Sequence, residues 1–275
     1  MTDTPPPQNV RWSGMTHPGK VRANNEDTFL ALNFDATEVR YLGKFGESTT
    51  DRGDYVFAVS DGMGGAKSGE FASKIATEKI TRLLPLSFKQ SAHQIAAGQT
   101  EVLNELMHRI HDELIKLGRY YDECRGMGAT LSLGWFTPGW MHFAHVGDSR
   151  IYWLPRGEKL RQITEDHSHV GWLRREGRIN EREARNHPRK SILSQVLGAG
   201  QQQLDPQVGS VRIESGDRFL FCTDGVIDGI WDHALADMLA ENEPPSGKTR
   251  AQYFVEHAVS ESGRDNASAL VVEVL

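Results

Sequence analysis

The sequence predicts an α+β fold of antiparallel sheets covered by helices, and three observations carry that prediction. Strand-like runs occur in adjacent sets rather than singly. Helical periodicity is confined to a few long stretches between those sets. No Pro/Ser-rich linker or charge block divides the chain, and no internal repeat is visible. Regular β-α-β alternation would favour a parallel sheet, whereas grouped strands and grouped helices favour layered antiparallel sheets. Such sheets need cover on a face, which long amphipathic helices can supply.

Taken in order, the chain opens with MTDTPPPQNV, rich in Pro and Thr, and a flexible tail is expected over 1–12. Strands are expected at Tyr55–Ser60 (YVFAVS), Thr130–Phe136 (TLSLGWF), Trp140–Val146 (WMHFAHV), Ile151–Leu154 (IYWL), Arg218–Cys222 (RFLFC) and Ala269–Leu275 (ALVVEVL). From Ser68 to Leu84, helical spacing sets Ile75, Ile80 and Leu83/Leu84 near one stripe. From Gln90 to Leu117 the same spacing aligns Val102, Leu106, Ile110 and Leu114. A third helix is expected from Thr249 to Ser260. The stretch 33–53 is long for a simple connection and reads as a hairpin insert.

Composition narrows the function classes. The 275 residues, 38% hydrophobic, suit one large domain or two small ones. A formal net charge of -6 argues against a nucleic-acid partner. No apolar run approaches the ~20 residues of a membrane span, so no membrane partner is expected. The N-terminus lacks a positive n-region and an apolar h-region. Cys124 and Cys222 are too few for a disulfide framework and fit a reducing cytoplasm.

The chemistry concentrates in short motifs that share one grammar: an apolar strand, then Asp, then Gly or a small residue. They are Val59–Gly65 (VSDGMGG), Val146–Arg150 (VGDSR) and Cys222–Asp228 (CTDGVID), joined by Val21–Thr28 (VRANNEDT) and Gly263–Ser268 (GRDNAS). One Asp-Gly after a strand is an ordinary turn. Several that converge would make an oxygen-ligand nest for hard divalent cations such as Mg²⁺ or Mn²⁺. Gly62 lets the backbone turn so that its carbonyl can face an ion bound by Asp61. An aspartate bridging two ions would hold them about 3.5–4 Å apart, the spacing of two-metal hydrolases. Arg22, four residues before Glu26, offers a permanently charged planar fork matched to phosphate oxygens. By themselves these residues reach a two-metal phosphate hydrolase and no further.

Together with Gly126–Leu131 (GMGATL), Ile163–Ser168 (ITEDHS) and Glu183–Lys190 (EARNHPRK), these motifs resemble the metal-dependent protein phosphatases, the type 2C serine/threonine family, in its bacterial form. The resemblance runs from about Gly14 to the C-terminus. It implies a four-layer α-β-β-α sandwich, two antiparallel sheets flanked by helices, as a single catalytic domain over 13–275. It implies that Asp61 bridges two Mn²⁺ or Mg²⁺ ions, with the Gly62 carbonyl on one and Asp224 and Asp265 on the other. Glu26 and Asp27 would hold water on those ions, and Arg22 would clamp the substrate phosphate. Asp148 and Asp228 resemble ligands of a third, weaker site. The implied reaction is hydrolysis of phosphoserine or phosphothreonine by a bridging hydroxide attacking in line, with no phosphoenzyme. Some members carry a histidine after the bridging Asp-Gly as proton donor; Met63 stands there instead, and a thioether has no proton to give. The implied partners are phosphorylated proteins, substrates of a serine/threonine kinase, met by a monomer.

Residues 164–198 would form a mobile flap beside the site. Its stretch from Arg174 to Lys190 is rich in basic residues, which fits either a solvated face or substrate steering. His108 and His111 share a helix face but lack a partner set with zinc spacing. Gly247-Lys248-Thr249 resembles the end of a phosphate-binding loop, but Asn242 stands where that motif needs Gly. Two rival functions remain at this level. A catalytically silent binding module should have lost ligand carboxylates, yet Asp61, Asp224 and Asp265 are intact. An esterase for small phosphate esters shares the same residues.

Overall fold

The computed structural model describes residues 8–35, 37–64, 66–93, 98–200, 203–245 and 247–275. The strands are β1 (Asn9–His17), β2 (Asp27–Phe34), β3 (Val39–Tyr41), β4 (Phe45–Thr49), β5 (Asp54–Met63), β6 (Gly128–Ala129) and β7 (Leu131–Thr137). They continue with β8 (Trp140–Val146), β9 (Arg150–Leu154), β10 (Arg161–Gln162), β11 (Leu197–Gly198), β12 (Gln207–Arg212), β13 (Arg218–Cys222) and β14 (Ala267–Val274). The helices are α1 (Ala66–His93), α2 (Gln99–Tyr120), α3 (His169–Arg175), α4 (Glu181–Arg185), α5 (Asp224–Gly229), α6 (Asp232–Ala240) and α7 (Arg250–Glu261).

Two antiparallel sheets stack face to face. One has the order β10-β9-β13-β14-β1-β4; the other runs β11-β6-β5-β7-β8-β12, with β2 on β5 and β3 on β2. Alternation along the strands builds three apolar layers. Tyr55, Phe57 and Val59 of β5 meet Phe219, Phe221, Leu270 and Val272 between the sheets. Val56 and Ala58, one residue out of phase, turn outward and are covered by α1 and α2 through Ile80, Leu84, Leu103 and Ile110. On the far side Ala269 and Val271 of β14 lie under α5, α6 and α7, against Val226, Leu235 and Phe254. Central strands buried on both faces explain why YVFAVS and ALVVEVL read as continuous apolar runs. The four-layer α-β-β-α sandwich is therefore the fold.

Several boundaries differ from expectation. β1 starts at Asn9, so a tail reaching residue 12 is too long. Val10 and Trp12 are buried between the sheets, and burial of that apolar surface outweighs the local Pro/Thr composition. Residues 1–7 lie outside the described set. α1 continues through Pro85, which removes one donor without ending the helix, so Gln90–His93 belong to α1. The 33–53 stretch is no simple hairpin. β3 pairs with β2 in one sheet, while β4 pairs with β1 in the other. Gly247-Lys248-Thr249 is helix-capping: Thr249 Oγ1 accepts from Gln252 N, and Gln252 Oε1 accepts from Thr249 N. No helix among the described residues is long and apolar enough to cross a membrane. Cys124 and Cys222 are both free and buried.

The inter-sheet layer should dominate stability. Phe57→Ala, at a fully buried position, is expected to cost about 3–5 kcal/mol in denaturant unfolding. A loss below about 1 kcal/mol would show that the two sheets do not depend on that contact.

Candidate active site

Antiparallel pairing collects the functional residues at one end of the sandwich, because the end of one strand lies beside the start of its neighbour. Asp61 near the end of β5 pairs with Asp27 at the start of β2. Asp148 follows β8, Asp224 opens α5 just after β13, and Asp265 stands just before β14. Arg22, Glu26, Asp61, Gly62, Asp148, Asp224 and Asp265 line one cavity of ≈ 400 Å³, with Met63, Ser191 and Leu193 on its wall. Asp228 lies one turn into α5 and lines an adjoining cavity of ≈ 70 Å³ with Asp148 and Asp224. The structure thus brings together every carboxylate singled out in the sequence except Asp27, which sits buried directly behind Asp61.

Three polar side chains that sequence reasoning left without roles hold this end rigid. Thr130 Oγ1 accepts from Asp61 N (3.0 Å), and Thr130 N donates to Asp61 O (2.8 Å). Thr223 donates from Oγ1 to Asp27 Oδ2 (2.7 Å) and accepts from Ser268 N (3.0 Å), tying β2 of one sheet to β13 and β14 of the other. Asn266 Oδ1 accepts from Glu26 N (2.8 Å) while its amide donates to the carbonyls of Pro18 and Asn24 (both 2.9 Å). That buried amide shapes the loop carrying Arg22 and Glu26. The only sequence signal was its place in GRDNAS.

Gly62 is required for a different reason than a tight turn. It lies in the strand, and a Cβ there would stand 1.9 Å from the Gly69 carbonyl oxygen and 3.0 Å from that of Glu26. The close approach of α1 to β5 excludes any side chain. Gly64, with φ +124, makes the turn instead.

Electrostatics confirm the crowding. Burial, then Asp27, Asp224, Asp148 and Asp265, hold the Asp61 carboxyl well above its ordinary range. Burial followed by Asp148, Asp228, Asp265 and Asp27 does the same to Asp224. Asp27 is pushed up to about 7 by burial, against the Thr223 and Ser268 hydrogen bonds. Asp148 is likewise raised to about 7 by burial and Asp166, with Arg150 opposing. At the rim two side-chain cations attach to the outer carboxylates: Arg22 Nη2 to Asp265 Oδ2 (2.7 Å) and Lys190 Nζ to Asp228 Oδ2 (2.6 Å).

The segment 164–198 packs beside this cavity. Its root is held by Arg150, which donates from Nε and Nη2 to Asp166 (2.8 and 2.6 Å) in a buried bidentate pair. Most of its basic residues are engaged within the chain. Arg174 pairs with Asp232, Arg175 with Glu165 and Arg185 with Glu181, while Arg178 lies over the Trp172 ring. This weakens a reading of the whole stretch as a substrate-steering face. His111 is buried and accepts from Gly198 N (3.1 Å), a structural contact. His142 and His145 point to opposite faces of β8, toward Ser210 and Ser132.

A family model described as "Protein phosphatase 2C" matches residues 44–266. The serine/threonine phosphatase stp of Listeria monocytogenes is 34% identical over 220 residues, 79% of this chain and 84% of that protein. The serine/threonine phosphatase of S. agalactiae superposes with a TM-score of 0.79 at 25% identity, covering 97% of this chain and all of that one (100%). The catalytic domain of serine threonine protein phosphatase PstP, solved in complex with 2 manganese ions, superposes with a TM-score of 0.75 at 27% identity, covering 97% and 99%.

Carboxylates must lose their protons to hold a cation, so protons and cations compete in this cavity. With Asp148 raised to about 7 and Asp61 and Asp224 raised as well, cation affinity is expected to fall as pH drops through that range. Titration calorimetry should show Mn²⁺ binding at least ~10-fold weaker at pH 6 than at pH 8. Equal affinities would contradict the shared protonation.

Proposed function

Because the chain belongs to the protein phosphatase 2C family and is therefore a hydrolytic enzyme, we propose that it dephosphorylates phosphoserine and phosphothreonine in other proteins, using two divalent cations, Mn²⁺ or Mg²⁺. One observation carries this reading: Asp61, Asp224 and Asp265 share a single cavity with Arg22 at its rim.

The donor set fits such ions. The cavity offers carboxylate and carbonyl oxygens, and among the described residues no histidine or cysteine lines it, which favours hard cations over zinc or copper. The carboxylates repel one another and draw Arg22 and Lys190 to the outer two. Among the described residues no three ligand-type side chains close a metal shell by themselves. Mg²⁺ and Mn²⁺ keep several waters and so need fewer protein ligands than a closed shell would supply.

Asp61 would be shared by both ions, with the Gly62 carbonyl on one and Asp224 and Asp265 on the other. Asp148 and Asp228 would contribute a third, weaker position. When bound, such ions would lower the pKa of a water and supply positive charge for the phosphoryl oxygens. Glu26, on the cavity wall, would accept hydrogen bonds from water on those ions and orient it, and Asp27, buried behind Asp61, would act through that neighbour. Arg22, half-exposed on a loop braced by Asn266, swings from Asp265 to the incoming phosphate and offers it a planar fork. Because the donors are preset by strand ends, stabilisation of charge costs little reorganisation during the reaction. Met63 on the cavity wall donates no proton, so the leaving alkoxide takes its proton from another group. Phosphoprotein specificity is supported by the relatives named as serine/threonine phosphatases.

The test is phosphate release from a phosphothreonine peptide in EDTA, Mg²⁺ or Mn²⁺. Activity is expected only with the cations, and Asp61→Asn should remove it. Arg22→Ala should lower kcat/KM by roughly 10- to 100-fold, the loss of a charge-assisted hydrogen bond to phosphate. Release in EDTA, or an Asp61→Asn variant with full activity, would overturn the reading.

A further inference from the structure

Five of the contacts that dock the 164–198 segment reach backbone, an aromatic ring or Asp232, and none uses the carboxylate of Asp148, Asp224 or Asp228. Arg185 donates to the carbonyls of Asp228 (3.0 Å) and Ile230 (2.6 Å) at the negative end of α5, and its guanidinium lies 4.2 Å over the Trp231 ring. Arg174 pairs with Asp232 (2.7 Å), and Glu181 Oε1 accepts from Asp232 N (3.0 Å). A sixth contact differs. Lys190 Nζ holds Asp228 Oδ2 at 2.6 Å, and Asp228 shares the smaller cavity with Asp148 and Asp224. The residues just after Lys190 are Ser191, Ile192 and Leu193, and Ser191 and Leu193 line the main cavity.

We propose that Lys190 is a built-in monovalent occupant of the outer acidic position, so that a divalent cation entering beside Asp148 and Asp228 displaces it and loosens the 189–191 turn at the cavity wall, while the Ser168–Leu193 bridge and His169 N to Ile192 O (3.4 Å) hold the chain behind it. This inference rests on the reading of the cavity as a divalent-cation site.

Charge and exposure support the exchange. An ammonium contributes one positive charge on a flexible stem, whereas a divalent ion offers two to the same oxygens. The side chains of Lys190 and Asp228 are 41% and 27% exposed, so water and ions reach the pair and the bond is weak enough to be replaced. The Arg185, Arg174 and Glu181 contacts do not use the Asp228 carboxylate, so α3 and α4 stay docked while the turn moves. The outer cation would therefore reshape the cleft where a phosphopeptide lies without unfolding its cover. Lys190 acts here as a competitor and a tether, not as a catalytic residue.

The experiment is Mn²⁺ titration calorimetry on the full chain for the wild type, Lys190→Met and Lys190→Arg, paired with hydrogen exchange over residues 186–194. Lys190→Met is expected to bind the outermost ion about five-fold more tightly, the scale of a partly exposed ion pair, with the inner ions unchanged. Lys190→Arg should behave as wild type. Exchange over 186–194 should rise in the wild type as the outermost ion binds, and in Lys190→Met it should be fast at every Mn²⁺ concentration. Inner ions bound with no gain in outer affinity for Lys190→Met would overturn the role of Lys190 alone, leaving it an ordinary surface pair. No Mn²⁺ bound by any variant would overturn the cation site itself, and this inference with it.

Discussion

Mutual repulsion among clustered carboxylates is the constraint that the active end of this molecule is built around. Asp27 is buried, Asp61, Asp148 and Asp224 line one cavity beside it, and repulsion within the group adds to burial in raising the proton affinity of Asp61 and Asp224. A carboxylate removed from water is costly unless a proton, a donor or a cation compensates. Left to itself, such a cluster would spread apart. It does not, because each Asp is attached to a strand end or helix start whose hydrogen bonds and packing are satisfied independently of the charge.

The sandwich supplies that rigidity. β5 is central, paired with β2 and β7 and buried on both faces, so Asp61 cannot move without breaking two ladders. Thr130 fixes its backbone from the neighbouring strand, while Thr223 links Asp27 to the opposite sheet. Around this fixed centre the cationic groups sit on surface loops: Arg22 before β2, and Lys190 after α4. Fixed anions with cations on surface loops are the arrangement on which the proposed exchange of counter-charges for metal ions and phosphate rests. The buried Arg150–Asp166 pair marks the boundary between the two regimes. Burial opposes ionisation of Asp166, but Arg150 outweighs it and holds the carboxyl below its ordinary range, anchoring the flap root.

Much of this was legible in the sequence, for identifiable reasons. The strands at Trp140–Val146 and Arg218–Cys222 appear at their expected limits because apolar alternation there ends abruptly in charged or small residues. Asp61, Asp148 and Asp224 were visible because Asp following an apolar run is a local pattern. β1 was hidden by Pro and Thr upstream and by contacts that are entirely non-local: its partners are β14, from the other end of the chain, and β4. The roles of Thr130, Thr223 and Asn266 were unreadable for the same reason, since each hydrogen bond crosses between elements far apart in sequence. The steric need for Gly62 also emerged only when α1 was seen against β5. Likewise, the basic run in the flap looked like one charged surface until its partners, Asp232, Glu165 and Asp228, were found in other segments.

If repulsion governs this end of the fold, removing one carboxylate should stabilise the metal-free protein while costing it its cations. Thermal denaturation of Asp224→Asn against wild type at pH 8, in EDTA and again in saturating Mn²⁺, measures both sides. In EDTA the variant should melt roughly 3 °C or more above wild type, and Mn²⁺ should raise the wild-type Tm while barely moving that of the variant. A variant that melts below wild type in EDTA, or that gains as much from Mn²⁺, would contradict carboxylate repulsion as the organising constraint.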